Sequence, residues 1–230
     1  MHRRVFLSGA ACLATAGCSV KEIYASDEDI ARYSYRHNGP KRITLYTMIS
    51  TETGAGAHSS MMLNASQRVV FDPAGSVNHP RMPERRDVLY GFSPRIADVY
   101  ARAHARNTYY VVIQELDISA AMAESIFDQI REIGPVQPAQ CALSISSVLR
   151  EQEGLEALPR TWFPKTLMSA FAEIPGVTER TLREADDDDK AIALAQLDIE
   201  IQDISKEAAA GAAAEDASGQ LINLVRPVAR

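Results

Sequence analysis

From residue 43 onward apolar and polar positions fall into short regular patterns. Ile43, Leu45 and Thr47 alternate with Thr44, Tyr46 and Met48, and a period of two predicts a strand. Gly54-Ala55-Gly56 then supplies a flexible turn. His58 to Leu63 and Arg68 to Asp72 are β-rich runs separated by Asn64-Ala65-Ser66-Gln67, which predicts a hairpin with His58 near the start of its first strand. Thr108 to Glu115, apolar on both faces, predicts a further, central strand. Ser119 has the chemistry of a helix cap, and Met122, Ile126 and Ile130 follow at intervals of four. Gly134-Pro135-Val136-Gln137-Pro138 turns the chain, after which Cys141, Ile145, Val148 and Leu149 fall at helical spacing. A second helix is therefore expected to open at Cys141 and to bury that residue's face.

Other stretches give weaker patterns. Residues 73 to 98 combine Pro73, Pro80, Pro83 and Pro94 with Arg81, Arg85, Arg86 and Arg95, which predicts a long surface loop close to His58. Residues 154 to 181, with three prolines and the sole tryptophan, predict broken structure and one short helix near Leu167 to Phe171. Trp162-Phe163 is expected in a core or an interface. Residues 191 to 209 fit either a helix or a strand, and Ala208 to Ala217 is of low complexity.

The N-terminus reads as an address. Arg3-Arg4 precede an apolar stretch, Val5 to Gly17, too short to stay in a bilayer as a spanning helix. The order Arg3-Arg4-Val5-Phe6-Leu7 resembles a twin-arginine export signal, and Thr15-Ala16-Gly17-Cys18 resembles a lipoprotein cleavage box. Those resemblances imply cleavage before Cys18, lipid on Cys18, and a place on the periplasmic face of a bacterial membrane, with secretion to the periplasm as the alternative. The expected organisation is an export signal over 1–17, a tether over 18–41, a folded domain over 42–185 and a C-terminal extension over 186–230.

Cleavage changes the charge. The 230-residue chain carries a formal −6, and losing Arg3 and Arg4 takes it to −8, which argues against nucleic acid as a partner. It changes the cysteine count more sharply. Cys12 leaves with the signal and Cys18 is consumed by lipid, so Cys141 is left without an intramolecular partner in an oxidising compartment. A buried free cysteine is an ordinary small hydrophobe. At a helix start it is also a candidate nucleophile, because unpaired N–H groups and the helix dipole stabilise a thiolate there. The backbone amide of Cys141 and the side chain of Gln140 are then candidates for an oxyanion hole.

A nucleophilic thiol needs a base, and histidine titrates near neutral pH. His58 alone among the histidines lies within an expected strand flanked by small residues: His2 leaves with the signal, His37 is in the tether, His79 precedes Pro80, and His104 lies among arginines. Asp72 is the candidate orienting group if the hairpin turns it toward His58. A three-residue loop Asn64-Ala65-Ser66 would pair 58 with 72, whereas a loop of two or four residues would pair 58 with 73 and turn Asp72 away. A metal site of His58, Asp72 and His79 is a weaker alternative, and no cofactor is expected. The run Asp186 to Asp189 lacks the spacing of a calcium loop and reads as solvated charge.

A histidine-bearing strand, its hairpin partner with a polar residue, another strand, a helix, and then a cysteine opening a helix form a recognisable order. The segments Ala57-His58-Ser59-Ser60-Met61-Met62-Leu63, Val69-Val70-Phe71-Asp72-Pro73-Ala74-Gly75 and Gln140-Cys141-Ala142-Leu143 resemble the circularly permuted papain-fold enzymes. That group is related to NlpC-type cell-wall peptidases and to lecithin retinol acyltransferase. The resemblance implies an α+β fold, an antiparallel sheet packed against helices. It further implies Cys141 as nucleophile, His58 as base and Asp72 as orienting group, in a hydrolase or acyltransferase acting on peptidoglycan or an acylated substrate. A non-catalytic lipoprotein that binds a wall fragment or a protein partner is the alternative.

Overall fold

Strand β1 (Arg42–Ser50) is buried over seven consecutive residues, the signature of a central strand covered on both faces. The computed structural model describes residues 23–195, apart from residues 76, 185–187, 190 and 193. The export signal, Cys18, half of the acidic run and nearly all of the C-terminal extension lie outside the described residues.

Beside β1 run β2 (Gly56–Asn64) and β6 (Tyr109–Asp117). With β3 (Arg68–Phe71), β4 (Glu84–Arg85), β5 (Val88–Leu89) and β7 (Thr178–Leu182) they form a seven-stranded sheet. Its order is β4-β5-β3-β2-β1-β6-β7, and every pairing is antiparallel. The named helices are α1 (Asp27–Tyr33), α2 (Pro94–His104), α3 (Ala120–Ile133), α4 (Cys141–Arg150) and α5 (Pro164–Ala172). The fold is therefore α+β, as expected. Among the described residues no helix is long and apolar enough to cross a membrane.

Alternation along the strands sorts their side chains onto two faces. Ile43, Leu45, Met61, Leu63, Val69 and Phe71 face α3, α4 and α5, meeting Ile126, Ile145, Val148, Leu167 and Phe171 in one core. Tyr46, Met48, Val70, Val111 and Ile113 face the other way and pack with Ile96, Val99 and Tyr100 of α2. Ser119 does cap α3, accepting from the N–H of Met122 at 3.1 Å.

Residues 73 to 98 depart from the surface loop expected of them. They contain β4, β5 and the first turn of α2, with Val88, Leu89 and Phe92 almost fully buried. Strands of two residues are too short to show any period, so tertiary packing alone defines them. Within 18–41, Ile23 to Ala25 run alongside β4: the Ala25 N–H donates to the Glu84 carbonyl at 2.8 Å, and the Arg86 N–H to the Ile23 carbonyl at 3.2 Å. Of the core and the interface expected for Trp162 and Phe163, the core is not where they lie, being 51% and 69% exposed.

Candidate active site

His58 lies on β2 opposite Met48, where the β1–β2 register slips: Met48 pairs with His58 but Ile49 with Gly56, leaving Ala57 as an extra residue. Such a bulge bends the strand and re-aims the side chain beside it. The β2–β3 hairpin pairs Asn64 with Arg68 and Met61 with Phe71. Its three-residue loop is Ala65-Ser66-Gln67, one residue later than the Asn64-Ala65-Ser66 loop considered from sequence. Continued past Phe71, this register sets Asp72 across from Ser60, on the same sheet face as His58 but diagonal to it. A diagonal neighbour is still within reach of a histidine ring. The contact forms: Nε2–H of His58 donates to Oδ1 of Asp72 at 2.6 Å.

Asp72 is fixed by its own turn. The N–H of Gly75 donates to the Asp72 carbonyl at 2.9 Å, closing a turn with Pro73 second and Ala74 third at φ 57°. Proline second and a positive φ third are the marks of a type II turn. A Cβ on Gly75 would overlap the Asp72 carboxylate, so the aspartate occupies the space a larger residue would take. On its other side Tyr100, fully buried on α2, stands close to the carboxylate and donates its phenol proton to Oγ of Ser60 at 2.7 Å. Burial, and then the Asp72 charge, push the Tyr100 phenol well above its usual range, so it remains protonated.

Cys141 is the first residue of α4, as expected, and is 5% exposed. Gln140 is the N-cap residue. Its carbonyl accepts the N–H of Ser144 at 2.9 Å, and its side chain makes no capping bond. β3 pairs with β2 no further than Met61, so the β2 edge beyond that pair is left to other partners. The N–H of Ser59 on that edge and the N–H of Ala142 in the first turn of α4 both face the Cys141 sulfur and favour its thiolate. His58 completes the set, its ring close enough to the same sulfur for each to favour the other's charged form. Its Nε2 faces Asp72, so Nδ1 is the ring atom left for the thiol.

The electrostatics follow from this arrangement. Burial alone would push the Cys141 thiol up. The hydrogen bond and charge of His58, with the two N–H groups, outweigh burial and hold the thiol below its ordinary range. Burial would likewise drive the His58 ring toward neutrality. The Asp72 charge and hydrogen bond, helped by Cys141, outweigh it and push His58 up to about 10. One group lowered and its neighbour raised favours a thiolate–imidazolium pair at neutral pH.

The structure thus brings Cys141, His58 and Asp72 together, and the Cys141 amide stands at the helix start where an oxyanion could form. Gln140 also lines a depression between α3 and α4, together with Asp128, Ser144 and Arg160. A cavity of about 190 Å³ opens beside His58, lined by Met48, Ala57, Ala74, Gly75, His104 and Tyr109. The metal alternative finds no support: among the described residues no three His, Cys, Asp or Glu side chains gather as metal ligands would. His79 instead belongs to a β-bridge with Met82.

Sequence reasoning missed Tyr100, Gly75 and Ser59. For Gly75 the signal was present in Pro73-Ala74-Gly75 after Asp72, the composition of a tight turn. Tyr100 and Ser59 contribute through contacts that no local pattern reports. Compared with protein-family models, with curated proteins and with solved structures, the chain shows no match.

Proposed function

We propose that this protein is a cell-envelope thiol hydrolase of permuted papain-like design that cleaves an amide or ester through a Cys141 acyl-enzyme. The observation that carries the reading is the linked set Asp72–His58–Cys141, with the thiol lowered and the imidazole raised. The Cys141 thiolate attacks the carbonyl carbon, and the electron pair moves to oxygen beside the N-terminal amides of α4. On collapse His58 gives its proton to the departing amine or alcohol, leaving a thioester. A water molecule, losing its proton to His58, then attacks the thioester and releases the acid and free Cys141. Asp72 holds the ring in the orientation that both transfers need.

The substrate proposed is a peptidoglycan peptide or an acyl group, following from export and from lipid on Cys18. Ile23 already docks beside β4. It lies five positions after Cys18, so a lipid there would hold the domain within about 17 Å of the bilayer. No cofactor enters this chemistry, and the partners proposed are the substrate and the membrane.

One observation favours the second reading, a non-catalytic lipoprotein that binds a wall fragment or protein: the thiol is only 5% exposed. Replacing Cys141 with serine separates the two readings. A hydrolase loses its cellular phenotype at normal abundance, whereas a binding protein keeps it.

A further inference from the structure

The hairpin of β4 and β5 turns through Arg86 and Asp87, at φ 51° and 62°, with Glu84 paired to Leu89 and Arg85 to Val88. Two central residues in the left-handed region define a type I′ turn, which favours Asn and Gly and disfavours arginine. Strain of this kind persists only where the surroundings fix it. Here they do, because Asp87 is buried, with 8% exposure, and is bonded to neighbouring backbone through both its carboxylate and its carbonyl. Its Oδ2 accepts the N–H of Val136 at 2.6 Å, in the loop that leads to Cys141. The Ala74 N–H, inside the turn that carries Asp72, faces the same carboxylate and favours its charged form. The Asp87 carbonyl accepts the N–H of Asp72 itself at 2.8 Å. Gly134 packs so closely on the Arg86 carbonyl that a Cβ there would overlap it, so the turn and the Cys141 loop meet by shape as well.

From this geometry we infer that Asp87 is a positioning residue, a clamp joining the Asp72 turn to the loop that delivers Cys141. The inference rests on the thiol reading and adds a residue to it. Cys141 and Asp72 come from segments about seventy residues apart in the chain, and β3 has already left the β2 edge where they meet. Besides His58 between them, Asp87 is a group bonded to both approaches. Charge is not its contribution: Asp87 lies near Glu84 and Asp72, and burial, followed by the charges of Asp87 and Asp72, raises Glu84 to about 7. An added negative charge nearby would disfavour a thiolate. Any benefit to the thiolate therefore comes from placement.

The test is the pH profile of Cys141 alkylation by iodoacetamide in the full chain, read at that residue by mass spectrometry, with folding checked by circular dichroism. Asp87→Gly keeps the left-handed turn and deletes the clamp. It should slow alkylation at pH 7 about tenfold and move the midpoint up by about one unit. Asp87→Asn, also at home in the left-handed region, keeps a neutral acceptor of about half the strength and should fall between Asp87→Gly and the wild type. Removing charge alone would move the midpoint down, so the upward direction reports lost placement. A folded variant, either of the two, with a wild-type profile or a downward shift overturns the inference. A wild-type thiol that fails to alkylate counts instead against the nucleophile itself.

Discussion

Nε2 of His58 and Oδ1 of Asp72 stand 2.6 Å apart although the two residues are diagonal rather than paired across the hairpin. The separation is bridged by the bulge at Ala57, by the type II turn that begins at Asp72, and by the phenol of Tyr100 behind the carboxylate. The ring's remaining nitrogen is left to the Cys141 sulfur. The chemical consequences of that relationship can each be measured.

Asp72→Asn keeps the size of the side chain and removes its charge. Burial then dominates at His58, the ring loses its proton near neutral pH, and the thiolate loses its counter-charge. The midpoint of Cys141 alkylation should rise by at least about one unit, equivalent to about tenfold slower reaction at pH 7. An unchanged midpoint in the folded variant would show that Asp72 does not tune the pair.

Stability should depend on pH through His58 with a definite sign. A raised folded value means that the native state binds more protons than the unfolded one, so the contribution falls as pH rises. It is whole below the ordinary 6.5 and is lost as pH passes through the folded value of about 10. The lowered Cys141 acts oppositely: its contribution is present above the ordinary thiol value and is lost as pH falls through the folded one. Cys141→Ser removes that opposing slope and lowers the upper limit for His58. Urea unfolding of Cys141→Ser, with and without His58→Gln, should differ most below pH 6.5 and converge toward pH 9. A gap that widens with pH would reverse the assigned sign.

Gly75→Ala tests the turn without touching the three reacting residues. The new methyl needs the space held by the Asp72 carboxylate, so the carboxylate must move from His58. Alkylation at pH 7 should fall about tenfold, at a stability cost of about 1–3 kcal/mol for overpacking. Wild-type reactivity in this variant would mean that Asp72 can shift without consequence.

How much of this could be read from the chain alone depends on the range of the interactions. β1, β2, β6, α3 and α4 announce themselves because period and capping are local, and Ser119 and Cys141 stand where those patterns put them. β7, read as broken structure, shows little buried surface and so little period. β4 and β5 are too short to show one. The hairpin register lay beyond sequence because the direct and diagonal pairings both place Asp72 on the face of His58, and only the loop at Ala65-Ser66-Gln67 selects between them. Tyr100 and Asp87 were invisible for a related reason. Each acts on a segment remote in sequence, one across the sheet from α2 and the other across two loops.

The most direct measurement is alkylation of the native wild-type chain by iodoacetamide across pH 5 to 9, followed at Cys141. A thiolate held by His58, Ser59 and Ala142 should react readily at pH 7, with a midpoint below the ordinary thiol value of about 8.5. It should lose that reactivity on His58→Gln. A native Cys141 that stays unmodified until the protein unfolds, or that titrates as an ordinary thiol with or without His58, would contradict the account.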